Sequence, residues 1–343
     1  MSSITKGLAA ALAAALLLPA PVRADETVTI GIVGAVSDII PFLAQKKGFL
    51  HDEGLDANLI GFDSGAKMVA PLGAGQLDVG AGAWSAGLFN AVARGIGIKI
   101  VADKATNKAP YDYRVVLVRK PLAGTIKTLA DLKGRKVGVV AQGAADDSSV
   151  NDAMTSVGLK FGDVDIEYMG FSAQIVALSN GGIDAAFSSE PDATLAVRQG
   201  IAVKFMPYSS FYPVQESGII LFGTNFIEKH HETAQKFMHA YIRAARFYDD
   251  SLKDGHIAGP GADYIFAALG ELTKQPDLSV FHDMTPSWCN PDGTLSMQSL
   301  AKDLAFFKAS GEVKADITPE QVTDSSFVEQ ALKELGPYRP HTN

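Results

Sequence analysis

The chain has 343 residues, enough for two domains of ordinary size, each able to bury its own core. Its 38 acidic side chains outnumber 30 basic ones, giving a formal net charge of −8, which argues against nucleic acid or an anionic membrane surface as the main partner. A single cysteine, Cys289, excludes an internal disulfide, so stability must come from packing, and the thiol reads as a small buried hydrophobe.

In chain order, residues 1–24 read as a signal peptide: Lys6, an apolar run from Leu8 to Ala20, and the small-residue cleavage pattern Val22-Arg23-Ala24. The run is short for a membrane span and ends in Pro19 and Pro21. The residue after the cut is Asp25, not a lipid-carrying cysteine, so the mature chain is expected to be free in the periplasm. From Thr27, β-branched runs alternate with helical patterns. Strands are predicted at 27–33, 56–62, 78–82, 98–103, 113–119, 136–141, 165–170, 183–189 and 218–223, most of them followed by a helix. That rhythm predicts an α/β fold with mostly parallel sheets flanked by helices. Beyond Thr224, apolar residues take helical spacing over 227–253 and 294–309, so the last third is predicted to be mainly helical, broken by Pro260, Pro276, Pro286 and Pro291.

Some local chemistry recurs. In GQLDVG, Gly75 and Gly80 bracket a tight entry into a strand and Asp78 can cap backbone donors; GGIDAAF repeats the device with Gly182 and Asp184. One such unit in each half suggests two lobes of similar construction. Thr128 and Asp131 open a short helix that Gly134 stops before a buried strand.

The segments PFLAQKKGFLHDEGLD (41–56), GAGQLDVGAGAWSAGLFNAVARGIGIKIVAD (73–103), TLADLKGRKVGV (128–139), GGIDAAFSSEPDA (181–193) and TNFIEKHHETAQKFMHAYIRAARF (224–247) come in an order that resembles one family. It is that of the periplasmic binding proteins of nitrate, sulfonate, taurine and pyrimidine-precursor importers, the NMT1/THI5-like proteins. The resemblance implies a two-lobed, type II-like binding protein. Lobe 1 would comprise residues 25–112 plus 220–343 and lobe 2 residues 113–219, with hinge crossings near Tyr111–Arg114 and Glu216–Ile219. It further implies a monomeric, non-enzymatic component of an ABC transporter that needs no cofactor or metal. Such a component captures a small organic or oxyanion solute between its lobes and delivers it to the membrane permease.

Ligands of open α/β sheets bind beyond the carboxyl ends of the strands. In the first lobe that rule selects Ser37, Asp38, Ser64, Gly65, Trp84 and Ser85; in the second it selects Gln142, Gly143, Ala144, Phe171 and Glu190, the last matching an acidic residue–proline element of the resembled family. Tyr212, before the second crossing, could add apolar cover. Asp38, Asp146, Asp147 and Glu190 face only Lys67 as a nearby cation, which favours a neutral or donor-bearing ligand over sulfonate or nitrate. Glu190→Ala and Trp84→Ala are expected to weaken binding and leave the fold intact.

Two alternatives stay open. Ala83-Trp84-Ser85-Ala86-Gly87 approaches a nucleophile elbow, so a periplasmic serine hydrolase would need His239, His256 or His282 beside Ser85. A ligand-sensing module for a receptor would look the same in sequence. A metal site is not expected: His231 and His239 lie two helical turns apart, about 12 Å, too far to share an ion.

Overall fold

The computed structural model describes residues 25–340; the signal-peptide reading of residues 1–24 lies outside them. The strands of its two large sheets are β1 (Glu26–Ile32), β2 (Leu55–Gly61), β3 (Val79–Gly82), β4 (Ile98–Lys108), β5 (Arg114–Arg119), β6 (Lys136–Val139), β7 (Asp165–Tyr168), β8 (Ala185–Ser189), β9 (Ala202–Pro207) and β10 (Val214–Gly223). They form two five-stranded sheets, ordered β2-β1-β3-β10-β4 and β7-β6-β8-β5-β9, with helices on their faces. β1 runs parallel to β2 and β3, and β6 parallel to β7 and β8, whereas β10 and β5 are antiparallel to both of their neighbours. Each sheet is thus parallel apart from one reversed strand, and that strand is the first after the chain crosses from the other sheet.

The repeated Gly-Asp turns occupy matching places. Asp78 N–H donates to the Thr29 carbonyl while its Oδ2 accepts the Thr29 N–H at 2.8 Å. In the second sheet, Asp184 N–H donates to the Lys136 carbonyl and Oδ2 accepts the Lys136 N–H at 3.4 Å. Both acids therefore tie the entry of a central strand to its parallel neighbour, β1 in the first sheet and β6 in the second. Asp131 accepts from Thr128 N–H and Oγ1 as the capping box requires.

The first sheet packs on the long helix His231–Asp250, which buries Ala234, Phe237, Met238, Tyr241 and Ala245. At its centre Phe222 meets Phe226, Phe237 and Phe327 edge-on. Around the second sheet, Val116, Leu132, Val137, Phe187 and Tyr208 form a separate core. Cys289 is buried beside Tyr241.

The sheets are joined by residues 109–113 and 208–213. Asp112 in the first connection accepts from Ser209 N–H (2.9 Å) and Oγ (2.7 Å) in the second, and from Asn107 Nδ2 (2.8 Å), so the two connections are fastened to each other. Residues 216–219, expected as a crossing, belong instead to β10, which pairs with β4 from Val214 to Gly223 and bulges around Ser217. β4 outruns its expected end at residue 103 because Asp103, Lys104 and Thr106 are all buried; charged side chains there looked like a strand terminus. β9, absent from the expected strands, carries Lys204 on its partly exposed face.

Truncating the aromatic centre tests this packing. Phe222→Ala is expected to lower the unfolding free energy by about 3–5 kcal/mol, read from urea denaturation; a loss under about 1 kcal/mol would show that the cluster is not a core.

Candidate functional site

A cavity of ≈ 470 Å³ lies between the sheets, walled by loops from both. From the first sheet come Ser37, Ser64, Gly65, Trp84, Ser85 and Lys104; from the second come Arg114, Gln142, Ala144, Asp146, Phe171 and Glu190. Tyr113 and Ser217, next to the connections, complete the wall together with Thr273 and Gln275. The loops of the two sheets also touch directly: Ala86 N–H donates to the Gly143 carbonyl at 2.9 Å, and Ser85 bridges Ala144 in antiparallel fashion.

Three expected residues do not line this cavity. Asp38 is fully buried, with Oδ2 accepting the N–H groups of Val33 and Gly34 at 2.8 Å and Oδ1 accepting from Lys104 Nζ at 2.6 Å. It occupies from within the backbone donors that were assigned to a ligand. Gly143 lies behind the wall for the same reason, its N–H donating to Asp147 Oδ2 at 2.7 Å. Tyr212 is buried beneath the site, its hydroxyl donating to Asp303 Oδ1 at 3.0 Å.

The cation count also changes. Lys67 sits in solvent paired with Asp63 and is not part of the wall. The wall instead contains Lys104, bonded to Asp38, and Arg114, bonded to Asp146 and stacked 5.5 Å from the Phe171 ring centroid and 5.2 Å from that of Tyr208. Lys104 falls just beyond the strand predicted at 98–103, and Arg114 inside the one predicted at 113–119. Glu190 is 2% exposed with both oxygens engaged, Oε1 by Lys204 Nζ (2.5 Å) and Oε2 by Thr194 N–H (3.0 Å).

Trp84 is 1% exposed and its Nε1–H donates to Asp303 Oδ2 at 2.7 Å. Asp303, on the helix Met297–Ala309, therefore holds a wall residue and Tyr212 at once. Nothing in the local sequence marks it, because its partners lie far away in the chain. Burial pushes its carboxyl up to about 6. Asp147, likewise desolvated, is pushed up to about 7. Truncating Trp84 to alanine would strip a bond from a buried acid and open a void, so it would not leave the fold intact as expected. Glu190→Ala would leave the buried Thr194 N–H without its acceptor, whereas Lys204, partly exposed, keeps Thr194 Oγ1.

Ser85 Oγ accepts the Leu88 N–H at 3.2 Å as a helix cap, and among the described residues no histidine lines the cavity, so the hydrolase arrangement is not assembled. No group of side chains able to hold a metal ion occurs among the described residues.

Two lobes of matching sheets around a shared interlobe cavity define the periplasmic binding protein fold. The NMT1/THI5 like family model matches residues 37–250, more than half of the chain, and the chain belongs to that family. It is 31% identical over 222 residues to a Brucella abortus (strain 2308) chain described only as a binding protein; the match covers 62% of this chain and 65% of that one. In fold it is similar to the alkanesulfonate-binding protein SsuA from Xanthomonas axonopodis pv. citri (TM-score 0.70, 17% identity, 88% of this chain and 99% of that chain). It is also similar to the periplasmic nitrate-binding protein NrtA from Synechocystis PCC 6803 (TM-score 0.71, 12% identity, 91% and 89%).

The Asp303 carboxyl makes a pH prediction. Its folded pKa of about 6 lies above the ordinary carboxyl value, so folding takes up a proton. The associated stability is complete below about pH 4 and is lost as pH rises through about 6. Asp303→Asn cannot lose it, so the variant should gain on the parent chain by up to about 2 kcal/mol between pH 4.5 and 7.5 in urea titrations. A constant difference across that range would refute the raised pKa.

Proposed function

We propose that this chain is the substrate-binding component of an ABC-type importer, working as a monomer in the periplasm without catalysis. It would take up a small solute between its lobes and present the closed form to a membrane permease. The observation that carries this reading is the ≈ 470 Å³ cavity whose wall is divided between the two sheets, because such a ligand stabilises closure only by touching both sides. Membership of the NMT1/THI5-like family supports it, as do fold neighbours named for alkanesulfonate and nitrate binding. By sheet membership we take lobe 1 as residues 25–108 plus 214–340 and lobe 2 as residues 114–207, with the fastened connections as hinge.

The ligand-binding set we propose is Ser37, Ser64, Gly65, Trp84, Ser85, Gln142, Ala144, Phe171 and Glu190, with Lys104 and Arg114 added. Lys104 and Arg114 each carry a buried carboxylate partner, so these two cations bring no net charge to the wall. That balance favours an uncharged, hydrogen-bonding solute with a face to lay on Phe171, over a bare oxyanion.

A thermal-shift panel of nitrate, sulfonates, pyrimidine and flavin precursors and aromatic carboxylates tests both parts, since a ligand of the native state raises the melting temperature by mass action. An uncharged heterocycle giving the largest shift is the expected result; a larger shift from nitrate or a sulfonate reverses the ligand class. The absence of any shift from a folded chain would sink the transport reading. With the ligand in hand, Gln142→Ala and Phe171→Ala, at wall positions that are not fully buried, should each weaken binding about tenfold at unchanged melting temperature of the free chain.

A further inference from the structure

The cavity is closed along one side by two elements, one from each lobe, that meet through the Arg198 side chain. One is the helix Asp192–Arg198 of the second lobe, whose Leu195 lines the cavity and packs on the core of the first. The other is the segment 273–283 of the first lobe, whose Thr273 and Gln275 line the cavity from the opposite side. Arg198 lies three residues after Leu195, one turn further along the helix.

Its guanidinium spends its whole donor set on that segment. Nε donates to Asp283 Oδ2 at 2.8 Å and Nη2 to the same oxygen at 2.5 Å. Nη1 donates to Asp277 Oδ2 at 3.2 Å and Ser279 Oγ at 2.8 Å, and Nη2 to the Ser279 carbonyl at 2.8 Å. The receiving side is built in advance: Asp277 Oδ1 accepts Ser279 N–H and Oγ, and Gln275 Oε1 accepts the Asp277 N–H. The bonds from Ser279 hold the Asp277 carboxyl below its ordinary range, so it stays ionised opposite the arginine. Isolated surface ion pairs contribute little, but a rigid fork satisfied on every donor by a preformed acceptor set is the exception.

We propose that Arg198 is the latch of the interlobe cavity, a positioning residue that clasps the segment 275–283 and so sets the ratio of closed to open lobes. The proposal rests on the reading that the lobes part to admit a solute. The lobes are also joined by the Lys302–Asp152 ion pair and by Phe161 set edge-on to Phe306 at 5.4 Å, so losing Arg198 removes one clasp and leaves these in place.

The test uses the mature chain without added solute and reads opening by X-ray scattering and by acrylamide quenching of Trp84 in a Trp288→Phe background. A Ser85→Cys, Ala144→Cys pair supplies a closed reference, because these residues face each other across the lobes as a β-bridge within disulfide reach. Arg198→Ala should lower the closed-to-open ratio about tenfold, enlarging the particle and exposing Trp84, with Arg198→Lys in between. Raising salt should move the native chain in the same direction and move Arg198→Ala less. If native and Arg198→Ala chains coincide and both are more open than the locked pair, the latch is refuted and the solute-binding reading stands. If all remain as compact as the locked pair at every salt concentration, the lobes do not part, and both fall.

Discussion

The ladder between β4 and β10 governs the arrangement of everything else. These strands pair from Ile98 opposite Gly223 to Lys108 opposite Val214, and both continue from the same end of the ladder into the connections to the other sheet. Two short connections leaving side by side leave the lobes few ways to move other than rotation about the line joining them. Asp112 sharpens this constraint by bonding one connection to the other. The cavity lies beside that line, with Tyr113 and Ser217 forming part of its wall through a 2.6 Å bond between their hydroxyls.

A second theme is how the protein treats its own buried charge. Loops at the carboxyl ends of parallel strands expose N–H groups that attract acceptors, and in two of them the protein supplies a carboxyl oxygen itself, from Asp38 in the first lobe and Asp147 in the second. These carboxylates fix loop conformation before any solute arrives. Asp38 and its second-lobe counterpart Asp146 also take charge out of the wall, since Asp38 neutralises Lys104 and Asp146 neutralises Arg114. In the proposed binding set, recognition would rest on shape, on polar groups such as Gln142 and on the Phe171 ring, wall features that can change with little cost to the scaffold.

Much of the fold could be read from the sequence because period and punctuation agree there: β-branched runs end at glycine or aspartate turns, and both Gly-Asp units fell on equivalent strands. The loops around the cavity followed from the rule on strand ends, which requires only strand order. What escaped depended on partners distant in sequence. The strand predicted at 98–103 stops short of Lys104, because burial of a charged residue is decided by groups such as Asn290 and Asp38 that periodicity cannot locate. Asp38 and Gly143 were chosen correctly as loop residues and misread as ligand contacts, since the same N–H geometry serves a side chain as well as a solute. Asp303 and Gln275 arrive from the helical last third, where apolar spacing reports a core and says nothing about what a single polar residue touches.

The reversed strand of the first sheet arrives last. β4 has β10 as its one neighbour in the sheet, and β10 begins at Val214, after the whole of the second sheet has been laid down in sequence. As the chain is made amino end first, the lobe nearer the start would remain an open three-stranded sheet with β4 unattached, while the lobe inserted within it could already close. The order of assembly then runs against the order of the chain, and the unpaired edge of β3 would be the surface most in need of protection until Val214 to Gly223 have been made.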